Sequence, residues 1–368
     1  MSFHMYVPTR ILFGEGQIHN LHSQQMPGKK ALIVISNGKS VKVNGSLEKT
    51  QEQLKMAGVE AVVFDQIMAN PLKSTVMDGA ACARDHGCDF IVALGGGSVM
   101  DACKAIAAMA TNDGDLWDYI SGGTGKGKPL GAEPLPIVAI TTTAGTGSEV
   151  DQYGVISNDE TCEKIGFGGY DSLFPKLAVV DPELMKSVPP KFTAYQGFDA
   201  LFHSVECYIA APANLMSDMY ALTAIENLGT YLARAVKNGS DMEAREHVAF
   251  ANTLSGVVMT ISACTSEHSM EHAMSAYHHE LPHGAGLIMI SKAYFTHFIE
   301  KHACDERFVR MAQALGMQNA KKPMDFVAAL AKLQEECGVA NLKMSDCGIQ
   351  PDEFMALAQN ARRSEERR

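Results

Sequence analysis

Asp199-Ala-Leu-Phe-His203 sets a carboxylate and an imidazole four residues apart, which on a helix puts both on one face about a turn apart. His268 and His272 repeat that interval, and His283 opens the stretch His283-Gly284-Ala285-Gly286, where glycine permits a close turn. A carboxylate with several imidazoles suits a divalent first-row transition ion. It suits calcium or magnesium poorly, because those ions favour oxygen-only shells. One such pair alone ordinarily marks an amphipathic helix whose histidines share a face. Two pairs and a His-Gly turn in one region point instead to a metal site, with Asp199, His203, His268 and His283 as the ligand set and zinc among the ions that the spacing allows.

A second chemistry-bearing stretch lies upstream. Phe90-Ile-Val-Ala-Leu94 reads as a buried parallel strand that runs into Gly95-Gly96-Gly97-Ser98, after which Val99-Met-Asp101-Ala-Cys-Lys begins a helix. A strand, a glycine turn and a helix N-terminus together receive phosphate, because glycine lets the backbone approach and the helix dipole faces the anion. The pattern is neither the G-x-G-x-x-G fingerprint nor a Walker A loop. Another apolar run, Ile137-Val-Ala-Ile140, leads into Thr141-Thr-Thr-Ala-Gly-Thr-Gly-Ser-Glu149, whose hydroxyls suit a nicotinamide or ribose.

The elements that must position these residues divide the chain in two. Strand-like runs at 31–36, 61–65, 90–94, 137–143 and 177–181 alternate with helical stretches near 46–57, 73–86 and 98–110, which predicts a Rossmann-like, doubly wound parallel sheet. After Pro189-Pro190 the periods become long and helical, at 193–210, 214–237, 241–263, 285–301, 304–316, 323–338 and 351–361. The expectation is an α/β dinucleotide-binding domain over 1–187 and an all-α metal-binding domain over 188–368, with the active site in the cleft between them.

At 368 residues there is material for two sizeable cores, and 46% hydrophobic with 20% charged residues is an ordinary globular composition. A net charge of −11 and the lack of a basic stripe argue against a nucleic-acid partner. The nine cysteines form no C-x-x-C pair and read as reduced residues of a cytoplasmic protein. No apolar run reaches membrane-spanning length, and the N-terminus lacks a signal-peptide pattern.

Taken together, Pro8-Thr-Arg-Ile-Leu-Phe-Gly14, Gly95-Gly-Gly-Ser98-Val-Met-Asp101, Thr142-Thr-Ala-Gly-Thr146-Gly-Ser-Glu149, Asp181-Pro-Glu-Leu-Met185, Gly197-Phe-Asp199-Ala-Leu-Phe-His203 and the His268 to Gly286 block resemble the iron-containing alcohol dehydrogenases. That group includes lactaldehyde reductases, 1,3-propanediol dehydrogenases and butanol dehydrogenases, and the resemblance runs through nearly the whole chain. It implies a dehydroquinate synthase-like architecture and the same four metal ligands, with Fe2+ as the ion and Zn2+ as the other possibility. It makes His272 the histidine beside the nicotinamide. It also assigns Gly96, Gly97, Ser98 and Asp101 to a pyrophosphate cradle, and Thr142, Thr143, Thr146 and Lys164 to further cofactor contacts.

The chain departs from that pattern in four places. The His268 to His283 stretch is one residue longer and adds His278 and His279. Where many NAD-using members carry an acidic residue, Ser36-Asn37-Gly38-Lys39 stands with Lys42 close behind, which leans the coenzyme toward NADP(H) over NAD(H). Asp151 and Tyr153 occupy a segment that lines the substrate side in the family. The chain stops at Arg368, where relatives continue, so a truncated or replaced C-terminus is expected. The resulting expectation is a cytoplasmic metal-dependent alcohol dehydrogenase and aldehyde reductase acting on a small alcohol or aldehyde. It would form a homodimer or higher homo-oligomer in which an N-terminal strand is exchanged. His272 would pass a proton. Alternatives are a glycerol-dehydrogenase-like polyol enzyme using zinc, a lyase resembling dehydroquinate synthase, and a non-catalytic metal or nucleotide sensor.

Overall fold

The computed structural model describes residues 3–363. The strands, in chain order, are β1 (Arg10–Phe13), β2 (Lys30–Ser36), β3 (Glu60–Ile67), β4 (Phe90–Gly95), β5 (Ile137–Thr141), β6 (Tyr153–Asn158), β7 (Glu163–Gly168) and β8 (Leu177–Val180). Six of these form one parallel sheet in the order β1-β8-β5-β4-β2-β3, while β6 and β7 pair antiparallel as a separate hairpin. In this half the helices are the short α1 (Ser40–Val43), then α2 (Ser46–Met56), α3 (Lys73–Asp85) and α4 (Gly97–Met109).

The sheet is covered on both sides, which is why its strands read as unbroken apolar runs. Ala31, Ile33 and Ile35 of β2 pack with Ile18, Leu21 and Leu54, the last on α2. Leu32 and Val34 of the same strand point the other way, to Ala80 of α3 and Ile106 of α4. The order places the ends of β4 and β5 side by side, with Gly95 opposite Thr141. Thr142 N then donates to Gly95 O at 2.9 Å, so the two turns that follow these strands start together.

The second half is helical. Pro190 takes the first turn of α5 (Pro190–Ile209), where a missing N–H costs nothing. There follow α6 (Leu215–Lys237), α7 (Met242–Ile261), α8 (Glu267–Tyr277), α9 (His283–Glu300), α10 (Asp305–Ala314), α11 (Asp325–Glu336) and α12 (Phe354–Ala361). Asn214 caps α6 by accepting from Met216 N and Ser217 N, and Asp241 caps α7 by accepting from Ala244 N. Phe198, Phe202, Leu228, Phe295, Phe308 and Phe326 share one apolar core.

The architecture is the expected one, a doubly wound parallel sheet followed by a helical half, with additions. The four-residue edge strand β1 pairs with β8. The β6–β7 hairpin was not expected either. Its sequence hides the strands because Glu163 is buried in β7, where its carboxylate accepts from Trp117 Nε1 at 3.3 Å and Thr124 N at 2.9 Å. The strand expected to reach Thr143 ends at Thr141. No helix among the described residues is long and apolar enough to cross a membrane.

Candidate metal and coenzyme site

Three helices of the second half bring histidines to one carboxylate. Asp199 and His203 lie on α5, His268 and His272 on α8, and His283 is the first residue of α9. Around Asp199 Oδ1 stand His203 Nδ1 at 3.3 Å, His268 Nε2 at 3.4 Å and His283 Nε2 at 3.5 Å. The rings of His203 and His268 stack with centroids 4.0 Å apart. Donor atoms of Asp199, His268 and His283 lie within 4.8 Å of one another, as do those of His203, Cys264 and His268 and those of Glu271, His272 and His283. Close packing at the start of α9 depends on Gly284, because a Cβ there would stand 2.1 Å from Tyr195 O on α5.

Two further carboxylates stand behind the histidines. Glu206 Oε1 accepts from His268 Nδ1, and the same side chain accepts from Thr265 Oγ1 at 2.7 Å and from the Glu267 backbone N–H at 3.1 Å. Glu271 Oε2 accepts from His283 Nδ1. Burial opposes ionisation of Asp199, yet the imidazoles of His203 and His283 and the His268 hydrogen bond hold its carboxyl well below the usual range. Burial, then the neighbouring His268, push His203 down to about 3, so its imidazole is neutral and has a lone pair to offer. His272 is likewise held well below its ordinary value, by burial first and then by Lys164 and the other histidines.

This donor set fits a divalent first-row ion. Three imidazole nitrogens stand around one carboxylate oxygen, and His203 Nδ1 is buried with no hydrogen-bond partner among the described residues. The Cys264 thiol adds a softer donor beside His203 and His268.

The glycine turn adjoins this cluster. A Cβ on Gly96 would meet Thr143 Oγ1 at 2.8 Å, and one on Gly97 would meet Thr146 Cγ2 at 2.2 Å, so the two threonines cover a cradle that only glycine leaves open. Gly96, Gly97, Ser98, Thr143 and Thr146 are half-buried, with Gly96 the N-cap and Gly97 and Ser98 the first two residues of the 13-residue α4. Asp101 ties α4 to the hairpin, accepting from Ser148 Oγ at 2.8 Å and Val155 N at 3.0 Å. Gly147 N donates to Asn252 Oδ1 on α7 at 2.8 Å, and Asn252 Nδ2 and Thr253 Oγ1 each donate to Glu149 Oε1 at 2.9 Å. These bonds seat the threonine turn against the helices. Gly145 then lies so near α5 that a Cβ would stand 3.0 Å from Asp199 Oδ2.

Several residues singled out from the sequence have other neighbours. Lys164 Nζ donates to Ser275 Oγ at 2.9 Å and Glu271 Oε2 at 3.2 Å, both on α8 beside the histidine cluster. Lys42 Nζ pairs with Asp65 Oδ2 at 2.6 Å, while Ser36 to Lys39 form an outward turn in which Asn37 N donates to Ile67 O at 2.8 Å. Asp151 turns inward to the buried Lys104 of α4, with Oδ1 2.7 Å from Nζ. Tyr153 beside it is exposed. His278 Nε2 bonds Glu353 Oε1 at 3.0 Å, and the carbonyl of His279 accepts from Asn70 Nδ2 at 3.0 Å. Glu206, Glu271 and Cys264 were missed from the sequence. His203-x-x-Glu206 and His268-x-x-Glu271 carried a usable signal, since residues three apart share a helix face.

Known proteins resemble the chain in sequence and fold. Residues 8–182 match the sequence profile described as iron-containing alcohol dehydrogenase, and residues 193–367 match that of the Fe-containing alcohol dehydrogenase family, C-terminal. The chain is 34% identical to 1,3-propanediol dehydrogenase of Klebsiella pneumoniae over 373 residues, covering 98% of this chain and 93% of that protein. It is 31% identical to the NAD-dependent methanol dehydrogenase of Bacillus methanolicus over 365 residues, covering 97% and 92%. Among solved structures, an archaeal halo-thermophilic alcohol dehydrogenase from a Red Sea brine pool superposes with a TM-score of 0.92 at 34% identity, covering 99% of this chain and 93% of that one.

Proposed function

This chain belongs to the iron-containing alcohol dehydrogenase family, and from that premise we propose that it interconverts a small alcohol and its aldehyde with a nicotinamide coenzyme at a metal centre formed by Asp199, His203, His268 and His283. The observation that carries this reading is the convergence of three imidazole nitrogens on Asp199 Oδ1 beside the glycine turn. Bound there, a divalent ion supplies Lewis acidity toward a carbonyl or alcohol oxygen, and the nicotinamide supplies or accepts hydride.

The chain's own residues do the rest. Asp199 would contribute the one charge of the ligand set, so a divalent ion held there would keep a net positive charge. Gly96, Gly97 and Ser98 take the pyrophosphate, with Asp101 holding α4 to the hairpin behind them, and Thr142, Thr143 and Thr146 take the nicotinamide side, which brings hydride donor and acceptor together. His272 is a neutral imidazole one turn from His268, suited to move a proton at a ring nitrogen. A lyase or a sensor has no use for that combination of proton relay and open coenzyme turn. Iron is the expected ion, and the nearby Cys264 thiol makes zinc a good competitor for the site.

The coenzyme preference rests on the turn after β2. Ser36, Asn37, Gly38 and Lys39 present no carboxylate to repel a 2′-phosphate, and Lys39 is exposed. The pairing of Lys42 with Asp65 takes one cation out of that role, so NADPH is preferred only modestly over NADH. The nine cysteines, none of them in a disulfide, favour a cytoplasmic setting. A homodimer or larger homo-oligomer is favoured by the free edge of β1, beyond which Phe3 and Tyr6 are about half exposed.

The test is NADPH and NADH oxidation with a short aldehyde, before and after chelation and on adding back ferrous ion or zinc. His272→Ala is expected to lower turnover on the order of a hundredfold with metal content unchanged. Wild-type turnover in that variant across pH 6 to 9 would remove the relay role.

A further inference from the structure

We infer that Glu271, backed by Ser275 and Lys164, is the positioning residue that fixes the tautomer of His283 and aims its Nε2 at the metal centre, an inference that rests on the reading of that centre given above. His283 needs such a device more than its partners do. Its side chain is 22% exposed, against 1% for His268, and it opens α9 with no turn of helix before it. Packing alone therefore does not hold the ring.

The hydrogen bonds supply what packing lacks. Glu271 is fully buried, and its Oε2 faces His283 Nδ1. An ionised carboxylate only accepts, so the proton sits on Nδ1 and the lone pair is left on Nε2, the nitrogen 3.5 Å from Asp199 Oδ1. Glu271 is itself anchored. Ser275 Oγ donates to its Oε1 at 2.7 Å, and Lys164 Nζ donates to its Oε2 at 3.2 Å. Room for the side chain comes from Gly286, one turn along from His283, where a Cβ would stand 2.8 Å from Glu271 Cγ.

Lys164 gives the inference its edge. Its Nζ also lies 3.4 Å from His283 Nδ1. With Glu271 present, both groups donate to the same carboxylate. With Glu271 removed, the ammonium keeps Ser275 Oγ at 2.9 Å and has an N–H to turn on Nδ1, and donating to it would drive the proton to Nε2, where no lone pair would remain for an ion. Glu206 does the corresponding work for His268, accepting from its Nδ1, from Thr265 Oγ1 and from the Glu267 backbone N–H.

The experiment titrates metal-free full-length protein with cobalt and with zinc against a chromophoric chelator, and records the visible cobalt spectrum. Glu271→Ala is expected to weaken binding about 10- to 100-fold, the usual scale for losing a carboxylate behind a ligating histidine. Glu271→Gln, whose amide oxygen still accepts from Nδ1, should recover most of that affinity and the wild-type cobalt spectrum. Because Glu271→Ala strands a buried ammonium, the pair Glu271→Leu with Lys164→Met is measured alongside; it should fold and still bind weakly. Wild-type affinity in Glu271→Ala or in the double variant would overturn the inference, as would Glu271→Gln binding no better than Glu271→Ala. His283→Ala keeps the two readings apart. If it binds weakly while Glu271→Ala binds tightly, only the role of Glu271 falls. If wild-type protein takes up no ion, or His283→Ala binds as well as wild type, the metal centre falls and this inference with it.

Discussion

The turn at Gly95–Ser98 and the histidine cluster around Asp199 are bridged by the threonine turn, which touches the one through Thr143 and Thr146 and the other through Gly145, yet they are built from opposite materials. The turn works by what is missing. Gly96 and Gly97 leave a space that a single Cβ would close against Thr143 or Thr146, and the attraction for an anion comes from backbone and helix dipole. The cluster works by buried charge. Three histidines surround one carboxylate, and two of them are steadied from behind by Glu206 and Glu271. A fault in the turn is therefore steric and local, whereas a fault in the cluster is electrostatic and reaches every member. The two regions should accordingly fail separately.

The largest effect is expected at the cluster. Asp199→Ala removes the only charged ligand and should abolish stoichiometric metal retention, read by elemental analysis, while coenzyme still binds. Loss of both together would break the comparison. Next comes Asp151→Ala, which strands the buried Lys104 of α4. Removing one partner of such a pair costs about 3–5 kcal/mol, so denaturant unfolding should show a large loss of stability. Metal affinity of the folded fraction should not change. That outcome would show that the sheet half also contains a buried charge pair, one with a structural role.

Gly97→Ala is smaller and sharper. Its Cβ would stand 2.2 Å from Thr146 Cγ2, and overpacking of this kind costs about 1–3 kcal/mol. Coenzyme affinity, measured by protein fluorescence quenching or NADH fluorescence, should fall about 5- to 150-fold by that energy, with metal content intact. Adding Thr146→Ser, which deletes the clashing methyl, should restore part of it. The smallest effect belongs to the turn after β2. Ser36→Asp should shift the ratio of kcat/KM values toward NADH by up to about fivefold, the worth of one exposed charge. A native preference for NADH of tenfold or more would contradict the assignment of that turn.

Much of this was legible in the sequence, for identifiable reasons. The strands of the doubly wound sheet are buried on both faces, so β2, β4 and β5 stand out as unbroken apolar runs. The histidine pairs could be read because helical spacing converts directly into a shared face. What was hidden depends on contacts between distant segments. The hairpin β6–β7 could not be seen because Glu163 is buried by Trp117 and Thr124, which lie far away in the chain. Asp151 looked like a substrate-side residue until its partner Lys104 was placed beside it. Lys42 looked like a phosphate contact, and Asp65 on β3 answers it instead. Glu206 and Glu271 were overlooked although each lies three residues after a histidine, because glutamate on a helix surface is ordinarily solvated and nothing local says that it is buried.

The most direct test of the central claim is a diffraction structure of the protein loaded with a single divalent metal, with the ion located by its anomalous signal. The account predicts one ion bonded at about 2.0–2.2 Å to Asp199, His203, His268 and His283, with Glu271 Oε2 on His283 Nδ1 and His278 still on Glu353. An ion bonded to His278 or His279 in place of His283, or lying away from Asp199, would contradict it.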